Sequence, residues 1–319
     1  MQRKARAGER VEKIMVVTRK SWRESVNGRF LVFQLSDKDG PMKGVLWQVP
    51  DSVDREIGVN DIVRVVGEMK SYKDNLEMHI DRIERLKKGD YDQSLFLPSS
   101  TRPADLMYSE ILETISGMQD EHLRLLLEAI FGDESFKADF IVSPAAKSWH
   151  HSYIGGLLEH TYDMMRMALK AAEIYREVNK DLLIAGVLLH DVGKLQELAV
   201  SNSIEYSDSG RLLGHITLGV EFVSEYIRGM DDFPDELGLR LKHMILSHHG
   251  ALENGSPVLP MTVEALLLHY IDNLDAQVRG TLQALGKDNG SSGNWTDFVR
   301  LLDRYIYRGP DEEDGIGDK

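Results

Sequence analysis

The chain has 319 residues, 42% of them hydrophobic and 28% charged, a length for two domains and a composition that excludes a disordered tail or a membrane protein. It contains no cysteine, so disulfides, thiolate metal sites, cysteine-held iron–sulfur clusters and cysteine nucleophiles are excluded, and any metal must be held by His, Asp or Glu. The net charge of −14 is unevenly spread: residues 1–98 carry 19 Lys and Arg against 16 Asp and Glu, whereas residues 99–319 carry 19 against 36.

Nine of the basic side chains fall within the first 29 residues, against Glu9, Glu12 and Glu24, which allows a cationic surface on the amino-terminal part. No apolar run approaches the ~18 residues of a membrane span, and Met-Gln-Arg-Lys-Ala-Arg leads into no apolar signal core. A cytoplasmic protein with no membrane partner is expected.

From Lys13 to Leu86 short β-branched and apolar runs alternate with Gly, Asn and Asp, the pattern of strands and turns. Five strands are predicted over residues 13–20, 29–36, 42–49, 61–69 and 76–86, with turns at Asn27-Gly28 and Asp39-Gly40 and a short helix over 50–57. Five strands so interrupted fit a small Greek-key barrel of the OB type, although a generic five-stranded barrel has the same pattern. Residues 87–103, with Lys87-Lys88-Gly89, Pro98, Ser99-Ser100 and Pro103, form the most convincing linker.

Beyond the linker the period becomes helical, with apolar residues three and four apart over 105–115, 122–131, 154–178, 182–190, 215–227, 236–248, 263–285 and 295–307. Pro234 and Gly250 are start and stop signals around one of these helices, and residues 198–206 suggest a small hairpin. The tail from Pro310 is acidic and Gly-rich.

Nine of the eleven histidines lie between His150 and His269, and five of them belong to one ordered series: His160, His190-Asp191, His215, His248-His249 and Asp272. Imidazoles and carboxylates converging from several helices hold Mn, Fe, Zn or Mg when thiolates are absent. Any one of these histidines alone is more simply a hydrogen-bonded core or surface residue. Jointly that is a poor account, because His190-Asp191 closes the apolar run Leu182 to Leu189 and leaves two polar groups at the end of a buried helix, where a metal would satisfy both.

The series, with HDVGK at residues 190–194, resembles that of the HD-domain metal-dependent phosphohydrolases, and the separate His215 and His248-His249 resemble its binuclear branch. The string SHHGALENGSP at 247–257, beside an OB-like barrel, is similar to the YhaM family of bacterial 3'-5' exoribonucleases over nearly the whole chain, the barrel half matching by architecture and by VTRKSW and GVLWQV. The resemblance implies a multidomain fold: an all-β OB-type nucleic-acid-binding domain over 1–90, a linker over 91–103 and an all-α HD bundle over 104–319. The Gly-Tyr-Pro signature of cyclic-diguanylate phosphodiesterases is absent, Gly255-Ser256-Pro257 standing there instead.

The resemblance further implies that His160, His190, Asp191 and Asp272 hold one divalent ion and Asp191, His215, His248 and His249 another, with Asp191 bridging. Manganese is the preferred ion, with Fe, Mg, Zn or Ni as alternatives, and a hydroxide activated by two metals would attack a phosphodiester. Lys194 is then expected to meet the same phosphate, although a helix-end lysine favoured by the dipole is the plainer reading. His150 and His151 are candidates for substrate contact or support, and His269 and Asp275 lie one turn from Asp272.

In the barrel, Trp22, Phe30, Phe33, Trp47 and Tyr72 are candidates for stacking bases, about half of them belonging to the core because strands alternate sides. Trp22 and Tyr72 rank first, being expected in the turns that grip oligonucleotides in OB barrels. Phe30 and Trp47 can share a face only if the strand register allows it. The leading expectation is a metal-dependent 3'-5' exonuclease releasing nucleoside 5'-monophosphates from single-stranded RNA or DNA. The alternatives are an HD phosphohydrolase of small nucleotides whose barrel serves assembly or regulation, and a nucleic-acid-binding protein with a decayed metal site. A homo-oligomer is compatible with each.

Overall fold

A computed structural model of the chain describes residues 7–26, 28–37, 40–72, 75–87, 90–91, 98–147, 149–200, 203–286 and 293–310. Asn27 and Asp39 of the expected turns, much of the expected linker, and the tail from 311 onward lie outside the described residues. Contacts divide the chain into two units, Met1–Ser99 with Val200–Ile204, and Ser100–Ala199 with Glu205–Lys319.

In the first unit, β1 (Arg10–Ser25), β2 (Gly28–Asp37), β3 (Gly40–Leu46), β4 (Ile62–Tyr72) and β5 (Asn75–Arg85) close into a barrel in the order β1-β2-β3-β5-β4. All pairings are antiparallel except β3 with β5. The barrel closes because β1 is long enough to serve two neighbours: Arg10 to Val16 pair with β4, and Val16 to Ser25 with β2, across an irregularity between Val17 and Arg19 that bends the strand. Alternation sends Met15, Val17, Leu31, Phe33, Leu35, Val63, Val65, Met69, Met78 and Ile80 inward as one core. The short helix α1 (Asp51–Glu56) adds Val53, followed by Ile57.

One expectation for the barrel is corrected, and one of the five aromatics is assigned to the core. Trp22 and Tyr72 are not in turns: hydrogen-bonded pairing runs on to Ser25↔Gly28 and Tyr72↔Asn75, so both residues are the outer ends of strands. Phe33 is core, fully buried in the barrel.

The second unit is a helical bundle: α2 (Ala104–Ser116), α3 (Glu121–Phe131), α4 (Glu134–Phe140), α5 (Gly156–Ile174), α6 (Lys180–Leu189), α7 (Lys194–Glu197), α8 (Asp208–Arg228), α9 (Asp235–Ser247) and α10 (Val263–Gly286). Asp120, Asp133 and Asn179 start α3, α4 and α6 by accepting the amides of Leu123, Phe136 and Leu182. α6 is apolar all round, every residue from Leu182 to Leu189 being buried, and it forms the centre about which α5, α9 and α10 pack. The hairpin of β6 (Leu198–Val200) and β7 (Ile204–Tyr206) follows α7.

One predicted helix does not form. Residues 295–307 make a small antiparallel turn with bridges Trp295↔Tyr307 and Val299↔Arg304, in which Thr296 and Leu302 are buried while Trp295, Phe298, Leu301 and Tyr305 are exposed. With so few apolar residues buried, the helical spacing of this segment has no core to face, and helix formation in water depends on such a face. In contrast, α4 escapes the periodicity because its seven residues bury only Phe136 and Phe140.

Candidate functional site

The buried end of α6 fixes the centre of the site. Leu189 is followed by His190 as the helix cap, and Asp191 comes next, both nearly fully buried. α5 brings His160, α9 ends at His248 with His249 following, and α10 brings Asp272. His215 arrives by a kink: Gly214 inside α8 has φ 72° and ψ 156°, a conformation that only glycine adopts without strain, and the helix resumes at His215. The glycine of HDVGK is required by this approach, since a Cβ on Gly193 would stand 2.0 Å from the His215 carbonyl oxygen and 2.6 Å from the Gly219 amide.

Asp191 lies between two groups of imidazoles. Its Oδ2 faces His190 Nε2 at 3.3 Å and His160 Nε2 at 3.6 Å, and its Oδ1 faces His215 Nε2 at 3.6 Å and His248 Nε2 at 3.7 Å. Asp272 Oδ1 is 3.4 Å from His160 Nε2. Sets of ligand atoms close enough to share an ion are His160, His190 and Asp272 on one side and His215, His248 and His249 on the other. The structure thus brings together all seven residues singled out in the sequence.

Each imidazole is oriented through its other nitrogen. His190 and His248 donate Nδ1–H to the carbonyls of Val187 and Ile245, at 2.8 and 2.7 Å, three residues back in their own helices. His249 donates to the Asn254 carbonyl at 2.9 Å, His215 to Glu197 Oε1 at 3.1 Å and His160 to Asp275 Oδ2 at 2.7 Å. Each ring is left with Nε2 as an acceptor directed inward. Buried and without a hydrogen-bond partner are the Nε2 atoms of His160, His190, His215 and His248 and the Oδ1 of Asp191. Buried polar atoms are normally satisfied. Five unpartnered acceptors converging on two spots fit divalent cations, which take up lone pairs where no N–H or O–H is offered.

The electrostatics agree with acceptor roles for Asp191, Asp272, His248 and His249, whereas His160 keeps a proton that a bound cation would displace. Burial opposes ionisation of Asp191 and Asp272, but neighbouring cationic and hydrogen-bonding groups, Lys194 and His190 for Asp191 and His160 for Asp272, outweigh it and hold both well below the usual carboxylate range. Burial pushes His248 and His249 down, aided by the neighbouring imidazoles, so both are neutral at pH 7, as a metal ligand must be. His160 is driven the other way: burial disfavours its charge, but Asp272 and Asp275 outweigh burial and raise it to about 9. Lys194 donates to Asp191 Oδ2 at 2.6 Å and lines the adjoining cavity, where it remains cationic because Asp191 outweighs its burial.

Around these residues is a supporting layer. Asp275 Oδ2 accepts from His160 Nδ1 and, at 2.8 Å, from His151 Nε2, while Tyr153 donates its hydroxyl to His151 Nδ1. His151, His160 and Asp275 lie close enough to suggest a third ligand group, but that carboxylate oxygen is already taken by two ring N–H groups. His269 donates to the His248 carbonyl at 2.9 Å and His243 accepts the Met261 amide, so both are structural. Glu197, which sequence reasoning missed, accepts both the ring and the backbone N–H of His215. Its spacing from His215 follows the β6–β7 hairpin and carries no local signal.

On the barrel, Phe30 and Trp47 stack with ring centroids 4.4 Å apart, and His79 lies 6.2 Å from Trp47. The register decides this: Leu31↔Leu46 are paired inward, leaving the neighbouring Phe30 and Trp47 together on the outer face. With Arg19, Arg23 and Lys43 they border a groove of ≈ 690 Å³. Trp22 is not part of it. It pairs with Leu31 and so belongs to the opposite face of the ribbon, at the rim, with the Arg29 guanidinium 4.7 Å above its ring. The Tyr72 side chain lies outside the described residues.

A closed five-stranded Greek-key barrel and a helical bundle whose histidines and aspartates converge at one buried centre define a hydrolase of the HD class carrying an OB domain. The profile of the HD domain matches residues 157–277, and that of the OB-fold nucleic acid binding domain matches residues 15–86. The HD domain is a metal-dependent family, and the histidine and aspartate groups described above are of the kind that holds a metal. The chain is 36% identical over 305 residues to the 3'-5' exoribonuclease YhaM of Listeria innocua, covering 95% of this chain and 96% of the relative. It is 33% identical to the protein of the same name from a Geobacillus species, covering 95% and 93%. The chain belongs to the YhaM 3'-5' exoribonuclease family. No helix among the described residues is long and apolar enough to cross a membrane.

Proposed function

We propose that this chain is a metal-dependent 3'-5' exonuclease that degrades single-stranded RNA to nucleoside 5'-monophosphates. The observation that carries the proposal is the division of Asp191, one oxygen toward His160 and His190 and the other toward His215 and His248. In this reading His160, His190, Asp191 and Asp272 hold one ion, and Asp191, His215, His248 and His249 a second, with manganese as the ion. Such ions, when bound, supply Lewis acidity and a nucleophile at neutral pH.

The chain's own residues do the rest. Asp191, held ionised, keeps the two ligand groups in register, and Asp275 and Glu197 hold His160 and His215 in their tautomers. Lys194 presents an ammonium on the wall of the cavity of ≈ 550 Å³ beside the centre, suited to a phosphate oxygen. Phe30 and Trp47, with Arg19, Arg23 and Lys43 around them, suit a single strand, because stacking tolerates every base and the cations follow the backbone. These residue roles, and a domain division of 1–90, 91–103 and 104–319, belong to the same proposal.

Self-association is also proposed, supported by Leu266, Tyr270, Leu274, Val278 and Leu282, exposed at four-residue spacing along α10. A cytoplasmic setting accords with the complete lack of cysteine. The deciding experiment is a time course with manganese and 5'-labelled single-stranded RNA, with DNA in parallel, on a denaturing gel. A descending ladder supports the proposal. Hydrolysis of mononucleotides with no ladder moves the assignment to a small-nucleotide phosphohydrolase.

A further inference from the structure

The cavity beside the metal-ligand cluster has a wall whose construction the cluster does not explain. Asp272, Asn273, Ala276 and Gln277 line it from one face of α10, and Trp149 and His150 line it from the segment before α5. The Trp149 indole is seated directly on α10 at Gly280, where a Cβ would stand 2.2 Å from Trp149 Cζ2 and 2.7 Å from Cε2. Gly280 is thus the residue that admits the ring. Eight residues separate Asp272 from Gly280, about 12 Å along the helix axis, comparable to the reach of one nucleotide from its phosphate to the far edge of its base.

His150 supplies the second observation. Its ring is 5.7 Å from that of His160, and its Nδ1 is buried with no hydrogen-bond partner, although every metal-directed ring nearby has its Nδ1 tied. A buried unpaired ring nitrogen on the wall of a cavity is accounted for by a polar group of whatever enters. An apolar ligand would leave it unsatisfied.

We propose that this cavity is the subsite for the 3'-terminal nucleotide, with the Trp149 indole as the platform on which the terminal base stacks and His150 as a hydrogen-bond partner of the adjoining phosphate. This rests on the exonuclease reading and deepens it. Its volume, ≈ 550 Å³, is that of a small-ligand site, so it takes a single unpaired nucleotide and no duplex end. A platform built on an aromatic face is tolerant of base identity, as an exonuclease that digests any sequence requires.

The test uses the full-length manganese-loaded protein and two single-stranded RNAs, identical except that one ends in an abasic 3'-nucleotide. The wild type should prefer the normal end by tenfold or more in kcat/KM. Trp149→Ala should abolish that preference by raising KM for the normal end only, with metal content unchanged and a melting temperature lowered by the lost packing on α10, and Trp149→Phe should restore most of it. His150→Ala should weaken both substrates alike. A Trp149→Ala enzyme that still discriminates as the wild type does would overturn the subsite while leaving the exonuclease reading intact. If wild-type protein digests neither RNA, the exonuclease reading itself fails and the subsite with it.

Discussion

Glu197 accepts both N–H groups of His215, the backbone amide at 3.0 Å and the ring Nδ1–H at 3.1 Å, on the same Oε1 atom. One carboxylate therefore caps the helix that resumes after Gly214 and fixes the tautomer in which Nε2 faces Asp191. Removing such a partner from a metal-ligating histidine typically weakens metal binding 10–100-fold. Glu197→Ala should show a loss of that order in manganese titrations, whereas Glu197→Gln, whose amide oxygen can still accept, should lose much less. Equal losses in the two variants would assign the effect to charge instead of orientation.

Asp191→Asn keeps the shape of the side chain proposed to bridge and removes its charge. Lys194 and the imidazoles would then face a neutral amide, whose nitrogen offers two N–H donors in place of an acceptor oxygen. Activity on any phosphodiester should fall by about 10²–10³-fold, in keeping with losses on removing a principal electrostatic group. Metal content by atomic spectroscopy should fall with it.

Gly193→Ala tests the close approach that delivers His215. The added Cβ would overlap the His215 carbonyl, and the backbone must separate to relieve it. Overpacking of this kind costs about 1–3 kcal/mol. The expected outcome is a lowered melting temperature together with weakened binding at the His215 side, read as a reduced metal stoichiometry.

Metal should stabilise the fold by satisfying the buried acceptors that are otherwise unpartnered. At a hundredfold excess over Kd, one ion contributes about 2.7 kcal/mol. For a domain of this size that is a rise of roughly 5–10 °C in Tm, lost on chelation and regained with manganese. An unchanged Tm would argue against metal at this cluster.

On the barrel, Phe30→Ala and Trp47→Ala should each weaken binding of single-stranded RNA by roughly tenfold and leave hydrolysis of dinucleotides unchanged. Because the two rings stack on each other, the double variant should lose less than the product of the single losses. Trp22→Ala, on the other face of the ribbon, should have a smaller effect when all these variants are compared by filter binding.

Much of the architecture was legible from periodicity, because a buried face imposes its spacing on the chain. Alternation marked the five strands, and the three-and-four spacing marked the long helices, whose cores are continuous. It misled at 295–307, where the spacing is present but little apolar surface is buried, and it was silent at α4, too short to display a period. The strand ends were set too early for the same reason: the β1–β2 and β4–β5 hairpins continue past their buried portions on backbone pairing alone, which carries Trp22 and Tyr72 out of the turns.

The residue types alone determined that any metal here must be bound by imidazole and carboxylate, and the order of the histidines and aspartates named the seven candidates. What they could not determine was which atom of each faces inward. That depended on partners distant in the chain, Glu197 for His215 and Asp275 for His160, and on carbonyls exposed only where α6 and α9 end. Likewise the pairing of Phe30 with Trp47 follows from a register that no single strand encodes, since each strand fixes only which of its residues alternate. Spacing along a chain sets faces, and only packing between elements decides which faces meet.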